Sequence, residues 1–208
     1  QTKAAQLRLL RYQLNPHFLF NTLNSLSALI TTGRGEDAND MLLKLSTFLR
    51  FALERDDMSL ITLREELMAI ELYLDIEKVR FSDRLAVEIT VAPDAYRCNV
   101  PSLLLQPIVE NAIKYGVSPQ EEGAEIAIVA QVVGPRLRVT VSDTGPGMTM
   151  NNIEAGLPAV RPTHARRDST GVGLANIRDR LAQAYGEEHR FEIRSPESGG
   201  FSVLVELP

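Results

Sequence analysis

The chain has 208 residues, 44% of them hydrophobic and 24% charged, enough for one large domain or two modest ones with a real core. Its net charge of −5 divides into 10 basic and 11 acidic residues over 1–82 and 12 and 16 over 83–208, so neither part carries the basic footprint of a nucleic-acid binder. A single cysteine, Cys98, excludes an internal disulfide and a thiolate metal cage and fits a reducing compartment, by default the cytoplasm.

No apolar run approaches the length of about 18 residues needed to cross a bilayer, and no signal peptide is visible. The chain opens at Gln1, without an initiator Met and already close to a helical pattern, as expected of a fragment of something longer.

Residues 1–82 contain only Gly33 and Gly35 as glycines, and their apolar residues recur at spacings of three and four, which predicts helices. The first covers about 5–31, with a turn at TTGRGED. A second covers about 37–53, with Met41, Leu45, Phe48 or Leu49, and Ala52 on one side. A third opens at Thr62, where T-x-x-E (Thr62, Glu65) makes a capping box, and runs to about Phe81. The run Phe18-Leu19-Phe20 is apolar around more of the first helix than one partner can cover. A second copy of the helical hairpin would cover it, giving a homodimeric four-helix bundle.

From Ser82 onward the texture changes to strands: LAVEITV (85–91), EIAIVAQVV (125–133), RLRVTVSD after a Gly-Pro turn, and FEIRS with FSVLVEL at the end. Helices interrupt them at about 101–115 and 174–185. The pattern predicts an α+β sandwich, helices on one face of a mostly antiparallel sheet. The helix at 62–81 can pack with either half, and the boundary is drawn at 82/83.

In the strand ending at Asp143, Leu137, Val139 and Val141 share a face, and the next position on that face is Asp143 itself. A carboxylate aimed inward needs a donor, and the exocyclic amine of an adenine is one. Asp-Thr-Gly-Pro-Gly is equally the chemistry of an Asx turn. Downstream, Gly171 and Gly173 precede an amphipathic helix (Leu174, Ile177, Leu181, Tyr185), where close backbone approach and free N–H groups suit a phosphate. The 148–170 loop between them carries Arg161, Arg166 and Arg167, as a nucleotide lid or as a loop with solvated arginines. In PSLLLQPIVENAIKYG, Leu104, Ile108, Ala112 and Tyr115 make the core face. Glu110, Asn111 and Lys114 lie on another side, a wet face or one that meets a cation and a phosphate.

ENAIK, DTGPG and STGVGLAN, in that order, resemble the N, G1 and G2 boxes of the Bergerat-type ATPase superfamily shared by DNA gyrase, a heat-shock chaperone, mismatch-repair ATPases and histidine kinases. The resemblance implies ATP with magnesium bound by Asn111, adenine recognised by Asp143, and phosphates held by the lid, Gly171 and Gly173. Gly145, Gly147, Leu174 and Lys114 join these as nucleotide-binding positions. In front of them, QLNPHFLFNTLNSL with ELYLDIEKVRF looks like the LytS/YehU-type sensor histidine kinases, and by that resemblance His17 is the phosphoaccepting histidine.

The residues around His17 are consistent with that role. Gln13, His17, Asn21 and Asn24 form a polar stripe beside the apolar one of Leu7, Leu10, Leu14 and Phe18. Pro16 should kink or restart the helix. A metal site is disfavoured, since no His or carboxylate stands at helical spacing from His17, whereas a plain surface histidine is the reading that the first half alone supports.

The expected reaction is in-line transfer of the γ-phosphoryl group from Mg-ATP to a ring nitrogen of His17. The resemblance then implies delivery to an aspartate of a response-regulator receiver domain. Many histidine kinases carry an acidic residue directly after the histidine, where this chain has Phe18. The base is therefore Glu110, or water alone, and Asn21 is a candidate for positioning a water that dephosphorylates the partner. Two rivals are an ATPase that uses ATP for dimer closure without phosphohistidine, and a catalytically inactive dimeric scaffold.

Overall fold

The computed structural model describes residues 16–54, 59–147, 170–196 and 199–208, with the backbone alone at 170–172. Helix α1 covers Pro16–Thr31; what was expected before it, including Gln13 and the leucines at 7, 10 and 14, lies outside the described residues. Helix α2 covers Gly35–Glu54 and packs on α1 through Met41, Leu45 and Phe48 against Phe18, Leu26 and Leu29. Phe48 takes the inward position, 1% exposed, and Leu49 is only partly buried.

A short strand β1 (Leu60–Thr62) leads into helix α3 (Leu63–Phe81). The capping box forms as expected: Glu65 N–H donates to Thr62 Oγ1 at 3.3 Å, and Thr62 N–H donates to Glu65 Oε2 at 2.9 Å. Helix α3 is buried nearly all round because it packs with both halves. Its Tyr73 ring lies 4.9 Å from that of Phe18 and 5.8 Å from that of Phe48, while Glu66, on another side, binds the backbone of residues 103–105. One continuous core thus runs from Phe18 to Leu207.

Strand β2 covers Leu85–Val91 and β3 Asn99–Pro101. Strands β1 and β3 pair antiparallel, Ile61 opposite Val100; at three residues each they are too short to show alternation in sequence. Helix α4 (Gln106–Asn111) continues into a π-helical turn (Ala112–Val117), in which Ser118 N–H reaches Ile113 O at 2.9 Å. The helix expected from about 101 therefore starts later, because residues 99–101 are committed to β3. Its core face is also wider than expected, with Val109 and Ile113 buried beside Ile108 and Ala112 and with Tyr115 only half-buried.

Strands β4 (Ala124–Val133) and β5 (Arg136–Asp143) form a hairpin, and helix α5 (Thr170–Tyr185) precedes β6 (Arg190–Arg194) and β7 (Phe201–Leu207). The sheet order is β2-β4-β5-β7-β6, antiparallel except for β2 and β4, whose connection through α4 is the crossover that parallel pairing requires. Ile126, Ile128, Val139, Val141, Val203 and Val205 bury one face of the sheet under the helices, while Val129 on the other is 42% exposed. Helix α5 starts at Thr170, so Gly171 and Gly173 stand within its first turn rather than before it. Among the described residues no helix is long and apolar enough to cross a membrane.

Candidate functional site

The strand pleat carries Asp143 to the inner face, as its alternation with Leu137, Val139 and Val141 requires, and its side chain is 7% exposed. The Asx contact forms too: Gly145 N–H donates to Asp143 Oδ1 at 2.9 Å. The two sequence readings of this residue are therefore compatible. Burial pushes the carboxyl up from 3.8 to about 6, and the N–H groups of Gly145 and Phe201 pull the other way.

Above this carboxylate lies a small cleft lined by Asn111, Tyr115, Gly116, Asp143, Gly147 and Phe201. Two glycines make it. A Cβ on Gly116 would stand 2.6 Å from Asp143 Cγ and Oδ1, and one on Gly145 would stand 2.3 Å from the Gly116 Cα. The π-helical turn presses backbone onto the aspartate so closely that any side chain would displace it. Gly200 N–H donates to Gly145 O at 2.8 Å and fixes the loop after β5 to the start of β7.

Asn111, Asp143, Gly145 and Gly147 thus come together. Asn111 is half-buried at the junction of helix and π turn, and its enclosed amide nitrogen has no hydrogen-bond partner among the described residues. Lys114 is exposed, its ammonium 4.7 Å from the centre of the Tyr115 ring. Gly173 faces Pro107 of α4, where a Cβ would stand at 3.7 Å, and Leu174 is buried in the core at 5% exposure. For Gly171 only the backbone course within α5 is described, and the arginines of the 148–170 loop lie outside the described residues.

Glu110 accepts a hydrogen bond from Gln106 Nε2 at 3.0 Å; Tyr73 and Glu77 of α3 are pushed up chiefly by burial, and the charge of Glu110 adds to the effect. It is thus within electrostatic range of α3, the helix that rests on Phe18. His17 itself is exposed in the first turn of α1, and the Asn21 amide nitrogen lies 3.2 Å from its Nδ1 and 3.4 Å from its Nε2.

Sequence reasoning missed Gly116, Phe201 and Gly200. The first reads as an ordinary helix end in KYG, and the other two become neighbours of Asp143 only through the β5–β7 register, in which Asp143 stands opposite Phe201.

The residues fit an adenine nucleotide: an inward carboxylate for an amine donor, a glycine-walled slot for a flat ring, and a nearby amide. Among the described residues no three His, Cys, Asp or Glu side chains are grouped to hold a metal. A magnesium ion here would be shared between Asn111 and substrate phosphates, which is how this cation is commonly held.

Two family models match the chain: histidine kinase over residues 5–85, and histidine kinase-, DNA gyrase B- and HSP90-like ATPase over 101–208. The chain belongs to the histidine kinase family. Within it, the chain is 32% identical over 206 residues to the sensor histidine kinase YesM of Bacillus subtilis, covering 99% of this chain and 34% of the relative. It is 37% identical over 195 residues to the sensor histidine kinase YpdA of Escherichia coli, covering 94% and 33%. Identity to the sensor protein LytS of Enterococcus faecalis is 34% over 206 residues, 99% and 34%. The chain spans about a third of the length of these relatives.

Among solved structures, the catalytic domain of the histidine kinase ThkA matches with a TM-score of 0.53 at 19% identity, over 74% of this chain and 96% of that one. A bacterial phosphotransferase matches at 0.59 and 13%, over 98% and 94%. At these identities the likeness is one of fold.

Membership sharpens the meaning of Phe18. Its ring is 3% exposed and packs edge-on to Phe48 at 5.6 Å. An acidic residue in that position would be buried in an aromatic cluster.

Proposed function

We propose that residues 1–82 form the phosphoacceptor part and 83–208 the catalytic part of a cytoplasmic sensor-kinase core. This core phosphorylates His17 from Mg-ATP and passes the group to an aspartate of a response-regulator receiver domain. The observation that carries the reading is the buried Asp143 under a cleft walled by Gly116 and Gly145, a shape and charge suited to an adenine edge.

In this reading Asp143 accepts from the adenine amine, Asn111 turns its amide oxygen toward the cation, and Lys114 meets a phosphate. Magnesium, when bound, neutralises charge on the phosphates. A ring nitrogen of His17 uses its lone pair to form the N–P bond as the bond from the γ-phosphorus to the bridging oxygen breaks, ADP departs, and the imidazole proton leaves to a base. Glu110, next to Asn111 in the sequence, is the side-chain candidate for that base; water is the other. Asn21 stays the candidate for placing a hydrolytic water, and its contact with the imidazole means that it also steers the ring.

The helical hairpin acts as a homodimer. Phe20, Leu23 and Ile30 line an exposed stripe on α1, 67%, 55% and 66% exposed, at spacings that put them on one face. Leu42 and Leu43 of α2 are exposed as well. A second copy of the hairpin is the partner whose own stripe matches this one.

The deciding experiment incubates the chain with γ-labelled ATP. Acid-labile, alkali-stable label that disappears in His17→Ala supports the reading. Free phosphate without protein-bound label would point to a closure ATPase, and no turnover with intact folding would point to a scaffold.

A further inference from the structure

Helix α4 begins without a local cap. Leu105 stands at its N-cap position and no neighbouring side chain takes its first N–H groups, a place where Ser, Thr, Asp or Asn is normally found. The N–H of Gln106, the first of the helix, is met from another element, by Glu66 of α3. Glu66 of α3, 1% exposed, takes the N–H of Leu103 on one carboxylate oxygen at 2.9 Å and the N–H of Leu105 on the other at 2.8 Å.

The turn that Glu66 grips is strained. Leu103 has φ of 57°, in the left-handed region that a branched apolar residue avoids, and is buried. From the opposite side, Arg180 of α5 donates to Ser102 O, and its positive charge acts on Glu66. The backbone of 102–105 is thus clasped between α3, which rests on the His17 helix through Tyr73, and α5, whose first turn holds Gly171 and Gly173. The helix that follows carries Asn111 and Gly116 into the cleft.

We infer that Glu66 is a positioning residue of the nucleotide site: by capping α4 from a distance it fixes where Asn111 and Gly116 stand relative to Asp143 and to the first turn of α5. The inference rests on the nucleotide-binding reading above. Burial pushes the Glu66 carboxyl up to about 7 and only the backbone N–H groups and Arg180 oppose this, so its charge depends on the clasp being closed. An amide in its place keeps the shape but replaces one acceptor oxygen with a donor, so that an N–H group of the 103–106 turn faces another donor.

The test is Glu66→Gln in the full chain, with Mg-ATP affinity by calorimetry and autophosphorylation KM and kcat measured side by side. Loss of one buried hydrogen bond to a charged group predicts a rise of roughly tenfold in Kd and KM for ATP. The rate at saturating ATP should stay within about twofold. A purely structural role would instead lower the folded fraction, and with it the apparent kcat, at unchanged KM; that result, or unchanged affinity, overturns the inference. Arg180→Met loosens the clasp from the other side and is expected to raise KM in the same direction. It decides the matter if Glu66→Gln does not fold, and an unchanged KM there overturns the inference too. A parent chain that binds no Mg-ATP would overturn the functional reading itself, an outcome distinct from a parent that binds and a Glu66 variant that binds equally well.

Discussion

Gly116→Ala tests the cleft most directly. The added methyl would lie 2.6 Å from Asp143 Cγ and Oδ1 and 2.9 Å from its Cβ, whereas carbon contacts settle at about 3.5–4.0 Å. The carboxylate must move by about 1 Å, and it has little room, since Oδ1 is tied to Gly145 N–H and the residue is 7% exposed. Overpacking of this kind costs about 1–3 kcal/mol. Because the displaced group is the one proposed to meet adenine, a penalty of that size corresponds to a loss of roughly 5- to 150-fold in ATP affinity. Calorimetry with Mg-ATP measures it, with thermal melting to confirm the fold. Gly35→Ala is the control, because a Cβ there meets nothing within 4 Å among the described residues. A folded Gly116→Ala chain that binds ATP like the parent would refute the close approach as the basis of the site.

Asp143→Asn should separate stability from binding. Burial favours the protonated acid in the native chain, so the stability that its proton confers is complete below about 3.8 and is lost as pH rises through about 6. The Asn variant is expected to melt above the parent at pH 8, with the gap shrinking toward pH 4, while ATP binding is lost; a variant that melts lower at pH 8 would contradict this. Phe18→Ala empties the centre of the Phe18–Phe48–Tyr73 cluster and should cost about 3–5 kcal/mol in urea unfolding, and a cost below about 1 kcal/mol would show that α1 does not dock as described. Leu23→Glu with Ile30→Glu places charges on the exposed α1 stripe and should convert a dimer to a folded monomer in light scattering; an unchanged mass would place the interface elsewhere. Glu110→Gln should abolish autophosphorylation with ATP binding intact if Glu110 is the base, and an unchanged rate would leave deprotonation to water.

Much of the site was legible because its signals are local. The capping box at Thr62 and Glu65, the alternation that ends at Asp143, and the amphipathic run from Leu174 each depend on a few consecutive residues, and each took its expected form. What stayed hidden depends on contacts between distant segments. The pairing of β1 with β3 decides where α4 starts, and three-residue strands leave no periodic trace. Gly116 looks like a helix end until the π turn presses it against Asp143. Glu66 and Glu77 are both almost fully buried because α3 is covered from two sides, whereas the sequence shows only that it is a helix able to pack with either half.

Helix α3 also explains how a chain without an acid after its histidine stays coherent. Phe18 is needed for packing: it meets Tyr73, which is 2% exposed and hydrogen-bonded to Glu77. Glu77 pairs with Arg80 at 3.0 Å, and burial raises its carboxyl to about 6, with Arg80 pulling it down and Glu110 pushing it further up. The aromatic ring next to His17 and the carboxylate next to Asn111 therefore border the same short stretch of α3. Position 18 thus holds α1 against α3, the helix that Glu66 also ties to the start of α4.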